Sequence, residues 1–172
     1  MLISEKMNAA LNEQVGHEFG ASLQYVAIAA YFDSDNLPEL AAHFYRQADE
    51  ERDHAMRFVN YVVDAGGKVA LLAVLAPKSG FASAEEAVKL SVDWELTVTR
   101  QINALVDLAI KETDHTTQNF LQWFVTEQLE EVSSMERLLS MIRRAGSNLL
   151  FVEDYLARQG GGGGKEAAAG AE

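Results

Sequence analysis

Polar and apolar positions in this chain follow a helical period almost from the first residue. After Ser4, a suitable N-cap, Leu11, Val15, Phe19, Ser22 and Val26 recur at helical spacing as far as about Tyr31, and "DSDNLP" breaks the pattern. A second helix is predicted from Leu37–Pro38, where proline is tolerated in a first turn, to about Ala65, with Gly66-Gly67 as its stop. A third begins after Ser83, where Ser-Ala-Glu-Glu resembles a capping box closed by Glu86, and runs to about Ile110. The polar link "KETDHTT" leads to a fourth, from about Gln118 to Arg144, ended by Gly146. A short fifth segment, "NLLFVEDYLARQ", follows.

The two tight links make antiparallel pairs, first with second and third with fourth. The segment 66–83 is different. A helix of about 27 residues is roughly 40 Å long. This segment, extended at about 3.3 Å per residue, reaches nearly 60 Å. It can cross the whole bundle and set the second and third helices parallel. The fold class is therefore all-α, a four-helix bundle with one long crossover and a short fifth C-terminal helix. One domain is expected over residues 1–159, and residues 160–172 read as a flexible Gly/Ala-rich tail, either native or engineered.

Composition supports this and narrows the function. With 48% hydrophobic residues the chain can bury a core, and with only two prolines its long segments lack helix breakers. The net charge of −12 disfavours nucleic acid and anionic membranes and suits a protein that gathers cations. The absence of cysteine excludes thiolate metal sites and disulfides. The longest apolar run, "YVAIAAYF", is too short to span a bilayer, and no signal-peptide pattern opens the chain, so a cytoplasmic location is expected.

Candidate chemistry appears twice. The offset of 77 that carries Glu18 to Glu95 also carries Glu50 to Glu127, Glu51 to Gln128 and His54 to Glu131. Glu18 and Glu51 are equidistant from the "DSDN" turn, as Glu95 and Gln128 are from the "KETDH" turn. All four helices thus bring an acid or amide to one level, with Glu51 and His54 sharing a face, as do Gln128 and Glu131. Val15, Phe19 and Val26 flank Glu18, Tyr25 stands above it, and Leu121, Phe124, Leu129 and Met135 surround the acids of the fourth helix. An inward-facing site is expected. Buried carboxylates without counter-charge would be driven to their neutral form, and a pair of divalent cations removes that difficulty. Carboxylates, one imidazole and one amide, without sulfur, suit iron or manganese above zinc.

The segments "LNEQVGHEFGASLQY", "QADEERDHAMRF" and "FLQWFVTEQLEE" resemble the metal-site segments of bacterial non-haem ferritins, and the resemblance extends to about Gln159. It implies a ferritin-like bundle in which Glu18, Glu51 and His54 hold one iron. Glu51 would bridge to a second, held also by Glu95 and Glu131, with Gln128 close by. Glu50, Glu127 and Glu130 would form a third iron site, and Tyr25 and Trp123 would supply electrons as catalytic neighbours. The resemblance further implies a ferroxidase that oxidises Fe(II) with O2 or H2O2 and deposits ferric oxyhydroxide inside a homo-oligomeric shell of 24 subunits. The second helical pair carries Gln-x-x-Glu in place of a second Glu-x-x-His, which is the ferritin form. Bacterioferritin places a haem-ligating methionine directly after the bridging glutamate. Arg52 stands there, so no haem is expected.

Other polar residues have plainer readings. His17 is read as a surface or intersubunit residue and His43 as a structural histidine. Asp114, His115 and Gln118 suit either a polar turn or a pore lining. Glu85, Glu86, Glu112 and Glu136 are read as solvated, and Met135 and Met141 as core. Two rival functions remain: a shell or scaffold without a working oxidase, and a DNA-protecting mini-ferritin.

Overall fold

The computed structural model describes residues 2–160; residues 161–172 of the expected tail lie outside the described residues. Five helices follow in order: α1 (Glu5–Ser34), α2 (Pro38–Asp64), α3 (Ala84–Lys111), α4 (His115–Ala145) and α5 (Leu150–Gly160). Ser4 caps α1 by accepting the Met7 N–H at 2.9 Å, and Ser83 caps α3 by accepting that of Glu86 at 3.1 Å. The capping box at α3 is displaced by one residue, because Glu86 accepts from the Ala82 N–H rather than from Ser83 and also pairs with Lys78. The fourth helix starts three residues earlier than its apolar pattern suggests. Asp114 accepts the Thr117 N–H at 2.9 Å and draws "HTT" into the first turn.

The two tight turns are copies of each other. Asn36 and Thr113 both adopt positive φ, 57° and 58°. Leu37 N–H bonds to Phe32 C=O at 3.0 Å, and Asp114 N–H to Ala109 C=O at 2.8 Å. These are Schellman-type closures, and the same offset of 77 residues relates every partner. The sequence repeat in the acids is therefore a repeat of the whole hairpin.

Between α2 and α3 the chain runs without helix along α1, held there by side-chain amides. Asn8 accepts the Lys68 N–H at 2.9 Å. Asn12 donates to Lys68 C=O at 2.9 Å and accepts the Ala70 N–H at 2.7 Å. Gln24 brackets Lys78, donating to its carbonyl at 2.8 Å and accepting its N–H at 2.9 Å. These amides satisfy backbone groups that an extended segment away from any sheet leaves open. At the far end of the bundle, α2 begins at Leu37 with no side-chain cap of its own. Glu153 of α5 supplies one, accepting the Glu39 and Leu40 N–H groups at 2.9 and 2.8 Å.

The core is split in two. One cluster contains Ala21, Tyr25, Phe32, Phe44, Ala48, Val92, Met135 and Leu138; the other contains Leu11, Val15, Phe58, Val98 and Phe124. In each of the four long helices the polar site residues fall between the two clusters. Phe58 of α2 stacks on Phe124 of α4 with centroids 4.2 Å apart, closing one side of that layer. Val26 and Leu129, expected beside the acids, turn outward and are 42% and 73% exposed. At about 100° per residue, Val26, eight positions after Glu18, and Leu129, directly after Gln128, stand roughly 80–100° round their helices from the buried side chains. Among the described residues no helix is long and apolar enough to cross a membrane.

Candidate metal centre

Six polar side chains meet in the layer between the cores. Glu18, Glu51, His54, Glu95, Gln128 and Glu131 are all at most 5% exposed. Ligand atoms of Glu18, Glu51 and His54 lie within 4.8 Å of one another, as do those of His54, Glu127 and Glu131. His54 stands between the groups, its Nδ1 3.4 Å from Glu51 Oε2 and its Nε2 4.0 Å from Glu127 Oε1. The Tyr25 hydroxyl donates to Glu95 Oε1, and Gln14 Nε2 donates to Glu18 Oε1 at 2.8 Å. Thr99 Oγ1 donates to Gln128 Oε1 at 2.9 Å.

What remains open matters more. Glu18 Oε2, both oxygens of Glu51, Glu95 Oε2 and His54 Nδ1 are buried without hydrogen-bond partners. Each orphaned group in a dry interior costs about 1–3 kcal/mol, more when charged. The electrostatics agree. Burial, followed by the Glu51 charge, pushes the Glu18 carboxyl far above the usual range, and burial with Glu95 does the same to Glu51. Glu95 is also raised by burial, against the lowering effect of its Tyr25 and Gln128 hydrogen bonds. Glu131 is pushed up to about 8 by burial and by Glu95. Carboxylates so placed bind a hard cation readily, because the cation restores the charge balance that solvent supplies elsewhere. The residues present fit iron.

The outlying acids differ among themselves. Glu127 joins His54 and Glu131, whereas Glu50 and Glu130 stand outside both ligand groups and are exposed. Glu50 is nevertheless close enough to Glu127 for their charges to interact, and burial raises its carboxyl. Gln47 Nε2 holds it at 2.5 Å. Trp123 is 36% exposed and meets the His54 ring edge-on at 5.4 Å, with the Arg57 guanidinium 3.9 Å above the indole. His17 is exposed, as expected. His43 packs edge-on against Phe44, and its Nε2 has no partner. Burial lowers its pKa to about 4, Arg46 adding to the effect. Gln14, Gln47, Arg57 and Thr99 are the site residues that sequence reasoning missed. Gln14 lies one turn before Glu18 and Thr99 one turn after Glu95, so the i,i+4 rule applied to each acid would have found both.

A crossover-connected helical bundle whose interior gathers carboxylates, an imidazole and an amide from all four helices is a metal-binding bundle. A family model described as a ferritin-like domain matches residues 8–145, and the chain belongs to the ferritin family. It is 44% identical over 157 residues to ferritin BfrB of Mycolicibacterium smegmatis, covering 91% of this chain and 87% of that protein. To the bacterial non-heme ferritin of Staphylococcus aureus it is 39% identical over 153 residues, covering 88% and 92%. Among solved structures, the open pore ferritin of the archaeon Archaeoglobus fulgidus superposes with a TM-score of 0.88 at 38% identity, covering 91% of this chain and 97% of that one.

Proposed function

We propose that this protein is an iron-storage ferritin subunit with ferroxidase activity at an intrasubunit di-iron centre. Glu18, Glu51 and His54 hold one Fe(II). Glu51 bridges to a second, held by Glu95 and Glu131, and Gln128 lies beside it. Each Fe(II) gives up one electron, and two electrons with two protons convert O2 to H2O2. Fe(III) then passes inward and hydrolyses to ferric oxyhydroxide, releasing protons. Glu50, Glu127 and Glu130 hold a third iron, Tyr25 and Trp123 supply the two further electrons that, with two more protons, carry H2O2 on to water, and 24 copies enclose the mineral. Relatives named as ferritins make storage the natural setting for this chemistry.

The observation that carries the reading is the row of buried, unpartnered ligand atoms on Glu18, Glu51, His54 and Glu95. A scaffold gains nothing from such a layer, whereas a cation bound there offsets its cost. Glu51→Ala removes the bridging carboxylate and is expected to abolish rapid Fe(II)-dependent O2 uptake while the protein keeps its native mass. Wild-type uptake by that variant refutes the di-iron reading. A protein that assembles but takes up no O2 with Fe(II) is the scaffold instead.

A further inference from the structure

Helix α1 carries two polar pairs, each one turn long and set side by side. Glu13 and His17 form the exposed pair; Gln14 and Glu18 form the buried one. Between α1 and α3 lies a groove of about 330 Å³ lined by Glu13, Gln14, His17 and Gln101. Gln14 belongs to both the groove and the metal layer. It lines the groove, and its Nε2 donates to Glu18 Oε1 at 2.8 Å. An amide that turns its nitrogen to Glu18 turns its carbonyl oxygen away from it. Opposite, on α3, Gln101 Oε1 is buried without a partner. Glu13 and His17 also line a second cavity, of about 270 Å³, between α1 and the crossover, so their side chains stand at the rim shared by two openings.

Glutamate and histidine one turn apart on a helix can bind a divalent cation together, and amide oxygens are ligands for hard cations. Lys6, the one cationic residue lining this groove, lies three turns before His17, about 16 Å along the helix axis. We propose that Glu13 and His17 capture a divalent cation at the mouth of the α1–α3 groove, and that Gln14 and Gln101 pass it inward to Glu18. The groove is lined by α1 and α3, whereas Glu50, Glu127 and Glu130 stand on α2 and α4, and the route rests on the metal-centre reading above.

An access route governs rate, not final occupancy. The full chain, stripped of metal, is mixed with Co(II), and the d–d absorbance of the filled centre is followed by stopped flow. Two variants leave every metal ligand in place. Ala104→Trp, at an exposed position on the groove wall, plugs the groove, and Glu13→Gln with His17→Ala removes the capture pair. Both are expected to load about tenfold more slowly, in the range by which charged clefts alter cation capture, and to reach the native absorbance. Equal final absorbance also shows that both variants are folded. Loading at the native rate in either variant overturns the route. Native protein that develops no Co(II) absorbance overturns the metal centre itself, a failure that the kinetic arms cannot produce.

Discussion

Tyr25 and Glu95 meet across the bundle, the phenol of α1 donating its hydrogen to a carboxylate of α3 in the buried layer between the two cores. Both are fully buried, and this bond lowers a Glu95 pKa that burial raises. Tyr25→Phe keeps the ring packing and removes the donor. The metal-free protein is expected to lose about 1–3 kcal/mol in denaturant unfolding, the cost of an orphaned buried acceptor. Without its donor Glu95 holds a proton more tightly, so Co(II) binding moves to higher pH. A binding profile that stays in place would show that Tyr25 does not set the charge state of Glu95.

The metal-free protein should lose stability as pH rises. Glu18, Glu51, Glu95 and Glu131 are all raised by burial, so their folded-state pKa values exceed the unfolded ones. Their contribution is complete below the ordinary value of 4.5 and disappears as pH climbs through the folded value, about 8 at Glu131. His43 acts in the opposite direction. Its pKa falls from 6.5 to about 4, so its contribution is present above 6.5 and lost as pH drops toward 4. That loss amounts to about 3 kcal/mol. Between pH 4.5 and 6.5 four carboxyls oppose one imidazole, so melting curves of stripped protein should rise as pH falls through this range, His43 only lessening the slope. Added Co(II) should remove the alkaline decline, since the cation takes the place of the protons. Replacing His43 with Phe should steepen the gain in stability between pH 6.5 and 4. A flat metal-free profile is incompatible with a buried acidic layer.

Much of this layer was legible in the sequence because acids disrupt an apolar stripe at known intervals. The repeat of Glu18 at Glu95 and of Glu51 at Gln128 placed four helices at one level, and the structure extends the same repeat to the turns at Asn36 and Thr113. Gln14 and Thr99 escaped notice for a physical reason. An amide or hydroxyl one turn from an acid is common on solvated helix faces, and only burial distinguishes an orienting donor. The crossover was legible by length alone. Its path is set by Asn8, Asn12 and Gln24 bonding to backbone, an interaction with no periodic signature. The outward turn of Val26 and Leu129 shows the other limit, since hydrophobicity does not report which side of a long helix meets its partners.

The attachment of α5 depends on Glu153. Its carboxylate accepts two N–H groups at the start of α2, where charge and helix dipole reinforce each other. Glu153→Ala is expected to cost about 1.5–3 kcal/mol, the value of hydrogen bonds to a charged group. Hydrogen exchange at the Glu39 and Leu40 amides should accelerate while exchange in α3 is unchanged. Unaltered protection at these two amides would mean that α5 is held by its apolar contacts alone.

Gly67 is confined by close approach. A Cβ at this position would lie 2.3 Å from Asn8 Oδ1, 3.0 Å from Val62 C=O and 3.1 Å from Ile3 Cδ1. The Asn8 oxygen cannot retreat freely because it accepts the Lys68 N–H that starts the crossover along α1. Gly67→Ala is therefore expected to destabilise by about 1–3 kcal/mol, as overpacking does. The Asn8 contact is the shortest, so a double-mutant cycle with Asn8→Ala isolates it. In the Asn8→Ala background the cost of Gly67→Ala should fall by at least about 0.5 kcal/mol, beyond the additivity of independent sites. The backbone carbonyl of Val62 keeps the remainder above zero. Strict additivity would place the strain at Val62 and Ile3 and leave the Asn8 clamp free to adjust.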